Sequence, residues 1–260
     1  GKDASIKRGH PWIFSGALGE LPALSDESVV HIYNHQGRDL GTGHFQNGSI
    51  AVRILSSEVR EIDLEFYQNR LSKALERRRI SGVYPLNVEN SAFRLVHAEG
   101  DDLPGLIIDI YNDIAVIQPH SVGMYHHLSL IGAALDSVLP NQLDTIYYRS
   151  PGQDGQKGYI KGNQAKTIIH ENGIKFEIDI VGGQKTGFFL DQKDNRLLVG
   201  KYAQGKKVLN AFCYTGGFSL YAIQGGAISV ESVDISKSAI EQLGVNVRLN
   251  FNATAIIAQQ

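Results

Sequence analysis

The sequence predicts an α/β protein of three parts: a small β-barrel, a small central α/β domain, and the beginning of a doubly wound parallel sheet. Short apolar runs separated by glycine turns fill the first 58 residues, a pattern typical of small barrels. Strand-like runs around one helical stretch follow. After Gly205, a strand, a helix and a strand occur in the order of a nucleotide-binding sheet. We place the three parts at residues 1–62, 63–165 and 166–260.

The barrel prediction depends on four apolar runs, WIFSGAL, VVHIYNHQG, LGTGHF and SIAVRIL. A connector helix is predicted over residues 63–79, with Asp63 as its amino-terminal cap. Its apolar face carries Leu64, Tyr67, Leu71 and Leu75. Its basic face carries Arg70, Lys73, Arg77, Arg78 and Arg79. These cations either form a solvated surface or contact phosphate groups.

The central part contains three predicted strands, AFRLVHAE, GLIIDIYN and IAVIQPH. A helix over residues 124–139 and a strand over residues 143–148 follow, with Pro140 ending the helix. Beyond this part, Asn172-Gly173 lies between two alternating segments. This dipeptide predicts a type I′ hairpin over residues 167–180.

The stretch VLNAFCYTGGFSLYA, residues 208–222, carries the most specific functional signal. An apolar strand enters a turn with Gly216 and Gly217, a helix follows, and a second strand ends at Asp234. Glycines let the backbone approach a ligand closely, and the start of a helix offers unpaired amide donors. A carboxylate at the end of the second strand can accept hydrogen bonds from ribose hydroxyls. The pattern therefore predicts a site for an adenosine-containing ligand.

The turn lacks the G-x-G-x-x-G spacing with which a helix start binds a pyrophosphate. S-adenosylmethionine carries no pyrophosphate, and its carboxylate needs only a small cradle of amides. An S-adenosylmethionine site is therefore favoured, and an NAD-dependent oxidoreductase is the less favoured alternative.

The segment GGQKTGFFLDQKDNR at residues 182–196, followed by NAFCYTGGFS, resembles the paired signature of class I methyltransferases that modify large-subunit ribosomal RNA. The upstream segments KRGHPWIFSGAL and HAEGDDLPGLIIDIY are similar to the same family in the expected order. The family is the ribosomal RNA large-subunit methyltransferase I-like (5-methylcytosine) family. The resemblance implies an N-terminal PUA-like β-barrel, a central small α/β domain and a partial Rossmann-like class I methyltransferase domain, whose C-terminal remainder we expect to be absent.

The implied function is S-adenosylmethionine-dependent methylation of RNA, at cytosine carbon 5 of large-subunit ribosomal RNA. An alternative is an RNA-binding module that keeps a degenerate, non-catalytic cofactor fold. The implied cofactor is S-adenosyl-L-methionine and the implied partner is RNA, ribosomal RNA in particular. A homodimer is also considered.

Eleven residues are assigned to cofactor binding by the turn and the resemblance. They are Lys185, Thr186, Phe188, Asp191, Gln192, Asn210, Tyr214, Thr215, Gly216, Gly217 and Asp234. Phe188 is expected to stack on adenine, Lys185 to meet the cofactor carboxylate and Asp234 to bind the ribose.

Four side chains, three of them among these eleven, keep two interpretations each. Tyr214 and Thr215 line the methionine moiety or pack in the core. Asn210 contacts the cofactor amino group or caps a turn. Arg196 is a ligand or a structural partner of Asp191 or Asp194.

No catalytic residue is assigned. Methylation of cytosine carbon 5 requires a thiolate that adds to carbon 6 of the base. Cys213, the single cysteine, lies in the cofactor turn, where its sulfur is expected to pack. In the similar enzymes the nucleophilic cysteine and a D-P-P segment come later, so we expect them beyond Gln260.

Lys7, Arg8 and His10 are predicted to bind RNA, because they resemble the opening signature of the family. Trp12, in the same signature, either stacks on a base or packs in the core.

Composition sets broad limits on class. The chain has 260 residues, 42% hydrophobic and 20% charged, with a formal net charge of -2, so RNA binding requires a local patch. No apolar run approaches the roughly 18 residues that span a bilayer, and we expect a cytoplasmic protein without membrane contact. None of the nine histidines has a metal-binding spacing; His126 and His127, adjacent on a helix, point apart.

Overall fold

The structure is a computed structural model that describes residues 3–19, 23–151, 155–251 and 256–259. The chain divides into two compact units. The first comprises Gly1–Pro85 and Phe93–Gln164, and the second comprises Leu86–Ala92 and Ala165–Gln260. The three-part boundaries of the sequence analysis stay predictions.

The first unit begins with a short helix and an antiparallel sheet. These elements are α1 (Ala4–Lys7), β1 (Trp12–Phe14), β2 (Val29–Tyr33), β3 (Asp39–Phe45) and β4 (Ile50–Ser56). The strand order is β1-β4-β3-β2, with antiparallel pairing throughout. Each of the four predicted runs corresponds to one of these strands, to within a few residues. The buried core of this sheet comprises Ile13, Ile32, Phe45, Ala51 and Val52.

The predicted connector helix is present as α2 (Leu64–Ile80). The Asp63 carboxylate accepts a hydrogen bond from the Phe66 backbone N–H at 2.9 Å, which confirms the predicted cap. Tyr67, Leu71 and Leu75 are buried as expected. Leu64, the first residue of the helix, is 37% exposed.

Three cations on the basic face of α2 form hydrogen bonds or ion pairs within the protein. Arg78 binds the Asp101 carboxylate through two guanidinium nitrogens, at 2.7 and 2.5 Å. Arg77 donates to Asp101 and to Asp102, at 3.2 and 3.0 Å. Arg70 donates to the Leu55 carbonyl oxygen at 2.7 Å. These three cations therefore anchor neighbouring loops, and neither predicted interpretation of the basic face describes them.

A five-stranded sheet and two helices complete the first unit. They are β5 (Ala92–His97), β6 (Leu106–Tyr111), β7 (Ile114–Pro119), α3 (Val122–His126), α4 (Leu128–Val138), β8 (Thr145–Arg149) and β9 (Lys157–Lys161). The strands follow this order across the sheet, and β7 and β8 are parallel. The helix predicted over residues 124–139 is thus two helices that meet at His127. Strand β9 was not predicted, because its exposed lysines and single glycine give no apolar run.

The second unit begins with a hairpin, β10 (Lys166–Glu171) and β11 (Ile174–Asp179). Asn172 and Gly173 between them have φ values of 49° and 79°. Two consecutive residues with positive φ define the predicted type I′ turn, so this prediction is confirmed.

A parallel sheet with crossover helices follows. Its elements are α5 (Lys193–Ala203), β12 (Lys207–Ala211), α6 (Gly217–Gln224), β13 (Ser229–Val233), α7 (Lys237–Asn250) and β14 (Ile256–Gln259). The strand order is β12-β13-β14, with parallel pairing. This arrangement brings the carboxyl ends of β12 and β13 to one edge, where the predicted glycine turn and Asp234 lie. Among the described residues, no helix has the length and apolarity to cross a membrane.

Candidate functional site

A cleft of about 470 Å³ opens at the carboxyl ends of β12 and β13. Its volume falls in the range of small-molecule sites. Eight of the eleven predicted cofactor residues line it: Lys185, Phe188, Asp191, Gln192, Tyr214, Thr215, Gly217 and Asp234. The two signature segments, about 30 residues apart, therefore meet around one cavity, as predicted. Gln184, Phe189, Phe212 and Phe218 also line the cleft and were not assigned from the sequence.

Thr186, Asn210 and Gly216 lie outside the lining of the cleft. Thr186 is fully buried, and the Asn210 side-chain amide donates to the Ser219 Oγ at 2.8 Å. Gly216 has a φ of 83° at the start of α6, in the left-handed region that favours glycine. Cofactor contacts by these three residues therefore stay predictions.

Asp234 organises the turn. One carboxylate oxygen accepts from the Tyr214 backbone N–H at 2.8 Å, and the other accepts from the Ser236 backbone N–H at 2.8 Å. Tyr214 and Phe212 both have positive φ, at 48° and 59°. Such backbone conformations are costly for non-glycine residues and persist where neighbouring contacts hold them. The carboxylate thus holds a strained turn and lies in the wall of the cleft.

The Tyr214 side chain connects the two signature segments. Its hydroxyl accepts from the Gln184 backbone N–H at 2.8 Å and donates to the Gly187 carbonyl oxygen at 3.4 Å. Its ring meets the Phe189 ring edge-on, with centroids 5.5 Å apart. One residue therefore attaches the loop before α5 to the turn after β12.

The aromatic and cationic groups differ in accessibility. The Lys185 ammonium lies 4.1 Å from the centroid of the Phe189 ring and 3.8 Å from an Asp191 carboxylate oxygen. The Phe188 ring is only 3% exposed, since it packs against Phe176. Phe212, by contrast, is 91% exposed. Little of the Phe188 ring therefore remains for adenine stacking, and that expected role stays a prediction.

A buried ion pair lies at the wall of the cleft. Arg196 donates to both Glu171 carboxylate oxygens at 2.7 Å, and the two side chains are 3% and 4% exposed. The predicted partners Asp191 and Asp194 were therefore wrong, because the hairpin supplies the counter-charge. A Cβ atom on Gly217 would lie 2.9 Å from the Arg196 Cδ, so this glycine admits the arginine beneath the helix start.

Residues 146–258 match the family described as S-adenosylmethionine-dependent methyltransferase, and residues 1–57 match a PUA-like domain. Ribosomal RNA large subunit methyltransferase I from Tolumonas auensis is 40% identical over 96% of this chain and 65% of its own length. Its counterpart from Pseudoalteromonas translucida is 39% identical over the same shares. The chain is similar to these methyltransferases over 96% of its length. It spans about two thirds of the length of these curated relatives.

Two solved structures share the fold of this chain. A candidate SAM-dependent methyltransferase from Streptococcus mutans is 26% identical, with a TM-score of 0.85 over 99% of this chain and 68% of that chain. A candidate methyltransferase complexed with SAH is 25% identical, with a TM-score of 0.86 over 100% of this chain and 68% of that chain. The predicted family and fold class are confirmed.

The cleft also contains Cys213, the single cysteine. Burial, together with the charge of Asp234, raises the pKa of Cys213 to about 11. Its sulfur is therefore protonated near neutral pH, and a thiol is a poor nucleophile. This agrees with the expectation that Cys213 packs.

The residues predicted to bind RNA lie at the start of the first unit. Lys7 pairs with Asp3 at 2.6 Å, and Arg8 is exposed. His10 Nδ1 accepts from the Trp12 backbone N–H at 3.1 Å. The half-buried Trp12 ring donates through Nε1 to Glu99 at 2.9 Å, so it is not a core side chain, and base stacking by Trp12 stays a prediction. RNA binding by Lys7, Arg8 and His10 stays a prediction.

The histidines form no metal centre within the described part of the chain, where no group of three or more His, Cys, Asp or Glu side chains has a suitable arrangement. His127 shares a hydrogen bond of 3.0 Å with the Tyr67 hydroxyl, whereas His126 is exposed.

Proposed function

We propose that this chain binds S-adenosylmethionine in the cleft and forms part of an enzyme that methylates large-subunit ribosomal RNA. The observation that carries the proposal is the convergence of the two signature segments on one cleft that ends at Asp234. The names of the curated relatives and the SAH complex of a structural neighbour support it.

The residues of the cleft fit the parts of S-adenosylmethionine. The Asp234 carboxylate is suited to accept hydrogen bonds from the ribose hydroxyls. The faces of Tyr214 and Phe212 suit a sulfonium cation, because aromatic rings attract positive charge. Lys185 offers a counter-charge to the methionine carboxylate. When bound, the cofactor supplies an electrophilic methyl group.

The same geometry disfavours NAD. Helix α6 begins at Gly217, the second glycine of the adjacent pair. The Arg196 side chain packs directly against this glycine. A dinucleotide site instead uses three spaced glycines to place a pyrophosphate on the helix start.

For the substrate, we propose cytosine carbon 5 in large-subunit ribosomal RNA. Chemistry on that atom requires the base to leave its stack. It also requires a thiolate, which the protonated Cys213 does not supply. The PUA-like domain supports a role for the first unit in RNA binding.

Calorimetry on the 260-residue chain tests cofactor binding. We expect heat on addition of S-adenosylhomocysteine and none with NADH. Tight binding of NADH alone would overturn the proposal. RNA binding without any affinity for S-adenosylhomocysteine would instead favour the non-catalytic RNA-binding module.

The target nucleotide requires a longer form of the protein, of the length of its curated relatives. Such a protein, incubated with unmodified ribosomal RNA and S-adenosylmethionine, is expected to produce 5-methylcytidine on nucleoside mass spectrometry. A different methylated nucleoside would retain the methyltransferase and reject the cytosine target. A homodimer also stays a prediction, which sedimentation of the same protein tests.

A further inference from the structure

A second cavity, of about 370 Å³, lies in the first unit and takes no part in the cofactor cleft. The turn between β3 and β4, the start of α3 and, after β8, Ser150, Pro151, Gly155 and Gln156 line it. Its polar wall is formed by Gln46, His120, Ser121, Tyr125, His126 and Gln156. Within the described residues, its lining includes no carboxylate, ammonium or guanidinium group. The part of the lining that the structure describes is thus polar but uncharged.

Hydrogen bonds orient the two amides of this wall. Arg53 Nη1 donates to the Gln46 Oε1 at 3.2 Å. The Tyr125 hydroxyl donates to the Gln156 Oε1. Because both carbonyl oxygens accept bonds from the protein, the amide NH₂ groups are the ends left to donate to a ligand.

Packing contacts also hold two parts of the wall in place. His44 lies two residues before Gln46 on β3 and packs against the backbone of α3, where a Cβ on Gly123 would lie 2.3 Å from its ring. The Tyr125 ring packs edge-on against Tyr148, with centroids 6.0 Å apart. A cavity whose walls are held in this way can bind a ligand with little loss of conformational freedom.

Uncharged donors and acceptors beside flat rings suit a planar, neutral ligand with a hydrogen-bonding edge. Among the lining residues that the structure describes, none offers a counter-charge to a phosphate group or a metal ion. Burial, and then the charge of Arg94, lowers the pKa of His120, so its ring is neutral near pH 7 and can accept a hydrogen bond. Unpaired RNA bases are recognised by this combination of ring contacts and edge contacts.

We propose that this cavity binds an unpaired base of the RNA substrate, apart from the base that is methylated. The inference rests on the proposed function, since it assumes an RNA substrate. A base held in the first unit would set the register of the RNA strand while the second unit holds the cofactor.

The test measures the affinity of the 260-residue chain for a short, fluorescein-labelled single-stranded RNA by anisotropy. The variants are Gln46→Ala and His126→Ala, and His35→Ala is the matched control, an exposed histidine of the same unit. Each cavity variant is expected to weaken binding by about 5- to 20-fold, the size of one lost base contact, and the control by none. Circular dichroism checks that all variants are folded.

An abasic RNA of the same length separates base contacts from backbone contacts. On this probe the wild type and the cavity variants are expected to bind equally. Equal losses on both probes would show a phosphate contact and overturn the proposal. Unchanged affinity of both variants for normal RNA, or no RNA binding by the wild type, would also overturn it. Calorimetry with S-adenosylhomocysteine in parallel shows whether the proposed function fails as well.

Discussion

Asp234 and Tyr214 form the central contact of the cofactor cleft: a carboxylate oxygen of Asp234 accepts the Tyr214 backbone N–H at 2.8 Å. Tyr214 has a positive φ, and its hydroxyl binds the backbone at Gln184 and Gly187. The acid predicted to bind the ribose therefore also holds the residue that joins the two signature segments. The predicted ribose contact and the conformation of the turn therefore involve the same carboxylate.

Asp234→Ala is expected to weaken binding of S-adenosylhomocysteine by about 1 to 3 kcal/mol, because charge-assisted hydrogen bonds to the ribose are lost. Asp234→Asn keeps one acceptor oxygen and should lose less. Calorimetry measures both changes. Asp194→Ala, which removes an exposed acid of α5, is the control and should bind as the wild type. Unchanged affinity of a folded Asp234→Ala variant would remove this residue from the site.

Tyr214→Phe removes only the hydroxyl that contacts the loop before α5. We expect weaker binding of S-adenosylhomocysteine by about 1 kcal/mol, the net contribution of an ordinary hydrogen bond. We also expect faster hydrogen exchange at the Gln184 amide, measured by mass spectrometry of peptides from this loop. Tyr202→Phe alters an exposed tyrosine of α5 and is the matched control. Wild-type exchange in Tyr214→Phe would mean that the loop is held by other contacts.

Arg196→Met is expected to lower the free energy of unfolding by about 3 to 5 kcal/mol, because it leaves the Glu171 charge buried without a partner. The double variant Arg196→Met with Glu171→Leu should recover much of this loss. Urea denaturation followed by circular dichroism measures both. Lys166→Met breaks the exposed pair with Glu177 and should cost less than about 1 kcal/mol. If Arg196→Met and Lys166→Met lowered the free energy of unfolding equally, burial of the Arg196–Glu171 pair would have no special role.

His44 predicts a pH dependence of stability. Burial, then the neighbouring charges of His127 and Arg53, lowers its pKa from 6.5 to about 3. Below pH 6.5 the unfolded chain therefore takes up a proton at this residue that the folded chain does not. The free energy of unfolding should fall with decreasing pH by about 1.4 kcal/mol per unit from this group, and the loss should continue to about pH 3.

His44→Leu removes that contribution, so its unfolding free energy should fall less steeply between neutral and mildly acidic pH. His35→Leu, at an exposed site, should keep the wild-type slope. Both His44 ring nitrogens are buried without a hydrogen-bond partner among the described residues. The leucine variant is therefore also expected to be more stable near pH 7, by about 1 kcal/mol. Denaturation curves at several pH values measure both effects.

Side-chain partners explain where the sequence predictions failed. The basic face of α2 was predicted to be a solvated surface or to contact phosphate groups. In the structure, Arg77 and Arg78 pair with acids more than 20 residues away. Arg196 was assigned partners among its near neighbours, yet its counter-charge comes from Glu171, across 25 residues. The contact between the Phe188 and Phe176 rings likewise joins distant segments and was not predicted. The second cavity, in the first unit, was not predicted from the sequence, because residues from three separate segments line it.

The sequence by itself determined the features that depend on local backbone geometry and periodicity. Asn172-Gly173 specified its turn, Asp63 its helix cap, and the spacing from Gly217 to Asp234 the strand, helix and strand of the cofactor unit. Only the tertiary structure decided which charges are neutralised, which rings are covered and which amides face a cavity. Turn and helix preferences arise within a few residues, whereas burial and ion pairing depend on which distant segments the folded chain brings together.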